Sequence, residues 1–250
     1  MIPATFRYEV AESADHAVEL LRTREDAKLL AGGHSLVPLM KLRLARPATL
    51  VDIGRVPGLT GVRDMGDHIA VGALTPHHDL SRDPVAAQHC PLIAYAAGLV
   101  GDPQVRHRGT IGGSLAHGDP ASDLPTICLL LDAVIMARGP GGERQIPAGA
   151  FFRGFFETAL APDEIITEIR LPKVGGAGWS YLKFRQRALD WATVGVAVLV
   201  GASNGSIAGA RVGLTNMGQT PLRARAVEAA LAGAPRDAVA QAAERADEGT

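Results

Sequence analysis

The sequence predicts an α+β protein in two unequal parts, and three observations carry that expectation. The first 55 or so residues alternate strand and helix patterns, which marks a small α/β layer. A break at Pro172-Lys173-Val174-Gly175-Gly176-Ala177-Gly178 reads as a linker. Beyond it come three strand patterns and then two alanine-rich helix patterns. That content suits a small α+β domain built on a three-stranded antiparallel sheet.

Taken in order, Phe6, Tyr8 and Val10 alternate as a strand should. Ser13 stands at a helix N-cap position, ahead of Ala14, Ala17, Val18 and Leu21 at i, i+3, i+4, i+7 spacing. Residues 28–31 form a short apolar strand, and residues 36–44 a helix that tolerates Pro38 in its first turn. Residues 49–53 are the next strand. The middle third gives a strand at 68–72, a short helix at 76–81 and a longer one at 92–100. The run Leu124-Pro125-Thr126-Ile127-Cys128-Leu129-Leu130-Leu131 is apolar all round and belongs in a core. Residues 133–146 read as a hairpin about Gly139-Pro140-Gly141-Gly142, and residues 165–171 as a closing strand. After the linker, strands are expected at 179–184, 193–200 and 208–214, with a turn at Ser203-Asn204-Gly205. Helices are expected at 224–232 and 238–246.

Composition narrows the function. Of 250 residues, 47% are hydrophobic and 20% charged, as in soluble globular proteins. A formal net charge of -1 gives no electrostatic reason to expect nucleic acid or anionic membrane as partner. No apolar run approaches a membrane span, and the start lacks the basic-then-apolar pattern of a secretory signal, so the cytoplasm is the expected location. Cys90 and Cys128 form no CxxC pair and read as small buried apolar residues, not as ligands of a cluster or a zinc ion.

The chemistry is concentrated in glycine loops. Gly109-Thr110-Ile111-Gly112-Gly113-Ser114-Leu115-Ala116-His117-Gly118-Asp119-Pro120 combines glycines, backbone N–H groups and flanking hydroxyls. Such a segment can close on a phosphate because glycine reaches positive φ and leaves no side chain in the way. A shorter version, Ala31-Gly32-Gly33-His34-Ser35, follows an apolar strand. Two cradles about 80 residues apart suit a ligand with two phosphates, whereas either alone reads equally as an ordinary turn. No GxGxxG or GxxxxGK[ST] is present for a nicotinamide or ATP site. His77, His78 and Asp79, or His107 and His117, offer no ligand spacing that closes a metal site.

Together the two loops, then Gly118-Asp119-Pro120-Ala121-Ser122-Asp123-Leu124-Pro125, Lys183-Phe184-Arg185-Gln186-Arg187-Ala188-Leu189-Asp190-Trp191-Ala192, and Val212-Gly213-Leu214-Thr215-Asn216-Met217-Gly218 with Thr220-Pro221-Leu222-Arg223, resemble the FAD-binding medium subunits of the molybdenum hydroxylases. The pattern is that of the carbon monoxide dehydrogenase medium subunit, and it extends from Phe6 to about Ala246. The resemblance implies an FAD domain of the vanillyl-alcohol oxidase (PCMH) type over residues 1–174, in subdomains of about 1–55 and 56–174. It also implies a flavoprotein C-terminal domain over residues 179–250, shortened at its end relative to a family that continues with a further helical segment. Gly118 stands where the family often has Ala.

Carried over by position, the resemblance puts Ala31, Gly32, Gly33, His34 and Ser35, with Thr110, Ile111, Gly112, Gly113 and Ser114, around the pyrophosphate and inner ribityl end of FAD. Asp123 would accept from cofactor hydroxyls or, alternatively, serve as N-cap of the apolar helix. Lys183 would lie near the isoalloxazine or the phosphates, or be a solvated strand lysine. Trp191 would stand near the flavin ring, or be a core tryptophan. A histidine in a Gly-Gly-His loop can anchor flavin covalently in the wider fold class, but noncovalent FAD is expected here. The implied function is electron transfer: a molybdopterin large subunit oxidises substrate, a small subunit with two [2Fe-2S] clusters relays electrons, and this chain holds FAD for an external acceptor, in a dimer of heterotrimers. The chain itself would carry no catalytic or metal residue. The alternative is a self-contained flavin oxidase or reductase on the same fold; a nucleotide-binding module without redox chemistry and a purely structural subunit are the other readings.

Overall fold

The computed structural model describes residues 2–250. Its first layer runs β1 (Arg7–Val10), α1 (Ala14–Thr23), β2 (Ala27–Leu30), α2 (Leu36–Lys41) and β3 (Thr49–Asp52). β3 lies between β1 and β2 and pairs with both in parallel, as helical crossovers between successive strands require. Ser13 caps α1 by accepting from His16 N at 3.0 Å. The helix buries Ala17, Val18 and Leu20 on a core with Val51 and Ile53. α2 stops at Lys41, short of the expected residue 44, because Arg43 turns to φ 59 and cannot continue a right-handed helix.

The second layer is larger. It comprises β4 (Val62–Asp64), β5 (His68–Gly72), α3 (His77–Arg82), α4 (Pro84–His89), α5 (Pro91–Gly98), α6 (Pro103–Arg108), α7 (Ile111–His117) and α8 (Asp123–Leu130). β6 (Val134–Gly139), β7 (Gly142–Pro147), α9 (Ala148–Phe151), β8 (Phe152–Gly154), β9 (Glu157–Thr158) and β10 (Ile165–Pro172) complete it. The main sheet has the order β4-β5-β10-β6-β7 and is antiparallel throughout. Its Ile69, Val71, Ile135 and Ile169 share one core with Leu92, Ile93, Ile111, Leu115, Leu124 and Ile127 of the helices. α8 buries every residue except Leu129, as its all-round apolar pattern requires. Sequence patterning did not mark α4 and α6, yet both begin with Asp-Pro: Asp83 accepts from Val85 N and Ala86 N, and Asp102 from Val105 N, with proline at the first helical position.

The last part holds β11 (Gly178–Phe184), β12 (Val194–Ser203), β13 (Ser206–Thr215), β14 (Leu222–Arg223), α10 (Arg225–Leu231) and α11 (Val239–Ala243). Its antiparallel sheet has four strands in chain order, not three. The addition is the two-residue β14, which pairs with Gly213 and Leu214 and is too short to show an alternation of its own. Flanking strands also absorb both ends of the expected linker, since β10 runs to Pro172 and β11 starts at Gly178. Val227 and Leu231 of α10 cover Val212 and Leu214 of the sheet. At that joint Glu228 accepts from Arg223 Nε at 2.5 Å and from Val212 N at 2.9 Å. The opposite face packs on α8, so Tyr181 and Ala197 belong to the large core of the second layer. No helix among the described residues is long and apolar enough to cross a membrane.

Candidate functional site

The chain leaves β2 at Leu30 and turns at once through Ala31–Ser35 into α2. Gly33 makes the turn at φ 76, a conformation that a side chain would strain. Gly32 faces the start of the second loop so closely that an added Cβ would lie 2.1 Å from the Arg108 carbonyl oxygen. A Cβ on Gly113 would stand 3.8 Å from that of Ala31. The structure thus brings together two glycine loops that the sequence keeps far apart.

Their backbones are used differently. The sequence leads one to expect free N–H groups in the longer segment around residues 109–120, but residues 111–117 are helix α7, and its first amides are all taken. Ile111 N donates to Thr75 O at 3.2 Å, Gly112 N to Ala73 O at 2.8 Å, Ser114 N to Thr110 O at 3.0 Å, and Gly113 N to the Thr110 hydroxyl at 3.2 Å. Thr110 is therefore the N-cap, and Gly118 ends the helix at φ 65. Gly112 is buried with no room for a methyl, since a Cβ would fall 2.6 Å from Ala73 Cβ. In the first loop, no acceptor among the described residues takes the amides of Gly32, Gly33, His34 or Ser35, and the Ser35 hydroxyl caps nothing. His34 and Ser35 are exposed. Consecutive uncommitted amides around a left-handed glycine form an anion-binding concavity. The open run of amides lies in the shorter loop, and the longer one packs against it.

Asp123 and Lys183, distant in sequence, form a buried ion pair: Nζ lies 2.7 Å from Oδ2, and the Lys183 and Asp123 side chains are 3% and 4% exposed. Lys183 also donates to Leu99 O at 3.2 Å. An ammonium carries three donors, so one N–H of this buried group remains uncommitted. Neither bland reading survives. Lys183 is no solvated strand lysine, and the N-cap of α8 is Ser122 while the Asp123 carboxylate is spent elsewhere. Its other oxygen accepts from the Tyr181 hydroxyl at 2.6 Å. Sequence reasoning missed Tyr181, although it sits two residues before Lys183 on the same face of one strand. Burial pushes the Asp123 carboxyl above the ordinary range, while Lys183, Tyr181 and Arg185 pull it back. Trp191 lies in the connection between β11 and β12 and is 66% exposed, which removes the core-tryptophan reading.

His77 lies under the bracing loop. Its backbone N donates to Gly109 O at 2.9 Å, and a Cβ on Gly109 would come within 2.9 Å of the ring. Its Nδ1 is buried without a partner, and burial, with the nearby charges of His34 and Arg106, lowers its pKa to about 4. His78 and His107 stack with centroids 3.8 Å apart, and no group of three or more His, Cys, Asp or Glu that could hold a metal ion occurs among the described residues. Cys90 and Cys128 are buried and unpaired; burial raises the Cys90 thiol to about 12 and pushes Cys128 up as well.

The described residues thus hold an open run of amides at 32–35, a glycine-bearing helix start packed against it, and a buried Lys183–Asp123 pair. The comparisons give the family. Residues 4–174 match the family described as the FAD binding domain in molybdopterin dehydrogenase, and residues 179–249 match the CO dehydrogenase flavoprotein C-terminal domain. The carbon monoxide dehydrogenase medium chain of Hydrogenophaga pseudoflava is 46% identical over 225 residues, covering 89% of this chain and 78% of the relative. A solved carbon monoxide dehydrogenase from that organism, lacking the Mo-pyranopterin moiety, superposes with a TM-score of 0.95 over 98% of this chain and 87% of its own. Quinoline 2-oxidoreductase from Pseudomonas putida 86 gives a TM-score of 0.95 at 30% identity, over 100% and 88% of the two chains. The chain belongs to the FAD-binding medium subunits of the molybdenum hydroxylases. It is an oxidoreductase subunit with FAD as its cofactor, on the α+β fold that the resemblance implied. Its relatives are medium chains of multi-subunit enzymes.

Proposed function

We propose that this chain is the electron-transfer subunit of a cytoplasmic molybdenum hydroxylase, taking electrons from [2Fe-2S] clusters of a small partner subunit and passing them by way of FAD to an external acceptor. Bound FAD supplies two-electron storage with one-electron exchange. The chain's own residues bind and orient it. The observation that carries this reading is the run of uncommitted amides at Gly32–Ser35 above a glycine-lined brace. These amides and the Ser35 hydroxyl hold the pyrophosphate, with His34 a noncovalent neighbour, while residues 110–114 leave room at Gly113 and fix the groove wall. Asp123 and Lys183 meet the ribityl hydroxyls and the ring from the other side, and Trp191 flanks the ring. The chain divides into an FAD domain over residues 1–174, with subdomains of about 1–55 and 56–174, and a C-terminal domain over residues 179–250.

The large molybdopterin subunit and the small iron–sulfur subunit complete the enzyme, as a dimer of heterotrimers. Leu182, Phe184, Leu189 and Trp191 support an interface, since they expose 57–71% of their surface on one strand and the loop that follows it. A stable subunit contact covers on the order of 800 Å² per partner. The test is the purified chain. It is expected to show flavin absorption bands, to release the flavin into the supernatant on acid precipitation, and to oxidise no organic substrate alone. Gly113→Val is expected to stay folded and lose the flavin, because its Cβ meets only the Thr110 hydroxyl at 2.9 Å and Ala31 at 3.8 Å. A chain without flavin bands, or one that turns over a substrate by itself, overturns the reading.

A further inference from the structure

The Asp123–Lys183 pair has a third member that the family comparison does not assign. Tyr181 is 2% exposed, its ring is locked in the core shared by the two parts of the chain, and its hydroxyl donates to Asp123 Oδ1 at 2.6 Å. Space is kept for that hydroxyl. β12 carries Gly195 beside it, in register with Lys183, and a Cβ there would lie 2.6 Å from the phenolic oxygen. The Thr215 hydroxyl, which donates to Thr126 Oγ1 at 2.8 Å, closes the same polar pocket.

A carboxylate turns broadly about its last torsion, and an ammonium on a four-carbon stem follows it. Lys183 alone therefore does not fix the plane of Asp123. A rigid phenol anchored by its ring does. We propose that Tyr181 is a positioning residue, holding the Asp123 carboxylate charged and in one orientation so that Asp123 and Lys183 present a fixed acceptor and a fixed N–H to FAD. The inference rests on the FAD reading above and extends it to a residue that reaches the pair through the Asp123 carboxylate.

The sign of the pH effect follows. Among the described residues, the charged groups bearing on Asp123 are Lys183 and Arg185, with Tyr181 the titratable group that hydrogen-bonds to it beside Lys183. A donor to the charged form lowers a carboxyl's pKa, so its removal lets Asp123 take up a proton at higher pH. FAD affinity that needs the charged pair is then lost earlier on acidification.

The experiment compares the full-length wild-type chain with Tyr181→Phe, which keeps the packed ring. FAD Kd is read by flavin fluorescence from pH 5 to 8, beside the unfolding midpoint of each apo chain. In Tyr181→Phe the Kd is expected to rise about tenfold at neutral pH, as for loss of a hydrogen bond to a charged group. Its acid limb is expected to move to higher pH, and Asp123→Asn to abolish that limb. An unmoved Kd and limb overturn the proposal. So does a Tyr181→Phe chain with a lowered apo midpoint and an unmoved limb, since Tyr181 is then a packing residue. Uptake of FAD by the wild type with an unmoved limb defeats this inference alone, whereas no uptake by the wild type defeats the FAD reading and this inference with it.

Discussion

Residues 31–35 and 110–114 are both short segments with a glycine pair that lead into or open a helix and end in serine. They do opposite things. The first leaves its amides free and its last two residues exposed; the second spends its first amides on Thr75, Ala73 and its own Thr110 and sinks Gly112 against Ala73. The glycines differ accordingly. Gly33 is needed for a left-handed turn and Gly112 for close packing, with no positive φ at all. A Gly-Gly motif is therefore not one device. Its role is set by whether neighbouring backbone supplies acceptors for its amides, and in this fold the 73–77 segment supplies them to one loop only.

The largest effect expected is at the point where the loops touch. Gly32→Val places a branched side chain where even a Cβ falls 2.1 Å from a backbone oxygen, and backbone cannot swing aside as a side chain end can. The apo chain should lose more than about 3 kcal/mol of stability, at the upper end of overpacking costs. Urea unfolding measures it. A variant as stable as the wild type would show that the two loops do not pack against each other there.

Next comes acid. His77 sits under the bracing loop with a folded pKa of about 4, against 6.5 for the free side chain, mainly through burial. A depressed folded pKa contributes stability that is fully present above 6.5 and is lost as pH falls through 4. The shift corresponds to about 3 kcal/mol across that window. Urea midpoints of wild type and His77→Leu at pH 7, 5 and 4 should diverge, the wild type falling more steeply. Parallel slopes would show that another group drives the acid transition.

Much of this was legible in the sequence, and the misses have physical causes. The parallel layer of residues 7–52 shows in short strand runs, the Ser13 cap and the 3.6-residue period of α1, whose apolar face is buried, although the alternating Tyr8 and Val10 of β1 are exposed. Helix α8 shows as a core element because nothing charged and only Thr126 among polar residues interrupts it after Asp123. Both glycine loops stand out in the sequence, but which of them keeps its amides free does not, since the acceptors that occupy Ile111 N and Gly112 N are carbonyls of Thr75 and Ala73, brought there by the fold. The pairing of Lys183 with Asp123 is likewise a tertiary fact, joining α8 to β11. Tyr181 carried no signal, because a tyrosine on a buried strand face reads as packing until its hydroxyl finds a carboxylate. Asp83-Pro84 and Asp102-Pro103 did carry one, a cap followed by a first-turn proline.

The smallest expected effect divides the loops most finely, because it compares one hydroxyl from each. The Thr110 hydroxyl accepts from Gly113 N at 3.2 Å and is already spent on the fold. The Ser35 hydroxyl stands at the matching helix start, exposed, and caps nothing. Thr110→Ala should therefore cost the apo chain about 1 kcal/mol, the usual loss for a cap. Ser35→Ala should leave apo stability within about 0.5 kcal/mol, as for a surface change, and should instead raise the Kd for FAD by roughly fivefold, the worth of one hydrogen bond. The two readouts cross. Each substitution moves the quantity that the other leaves alone, and in the double variant the two stability changes should add. A Ser35→Ala chain that is destabilised without FAD, or a Thr110→Ala chain that unfolds as the wild type does yet binds FAD more weakly, would exchange the roles of cradle and brace.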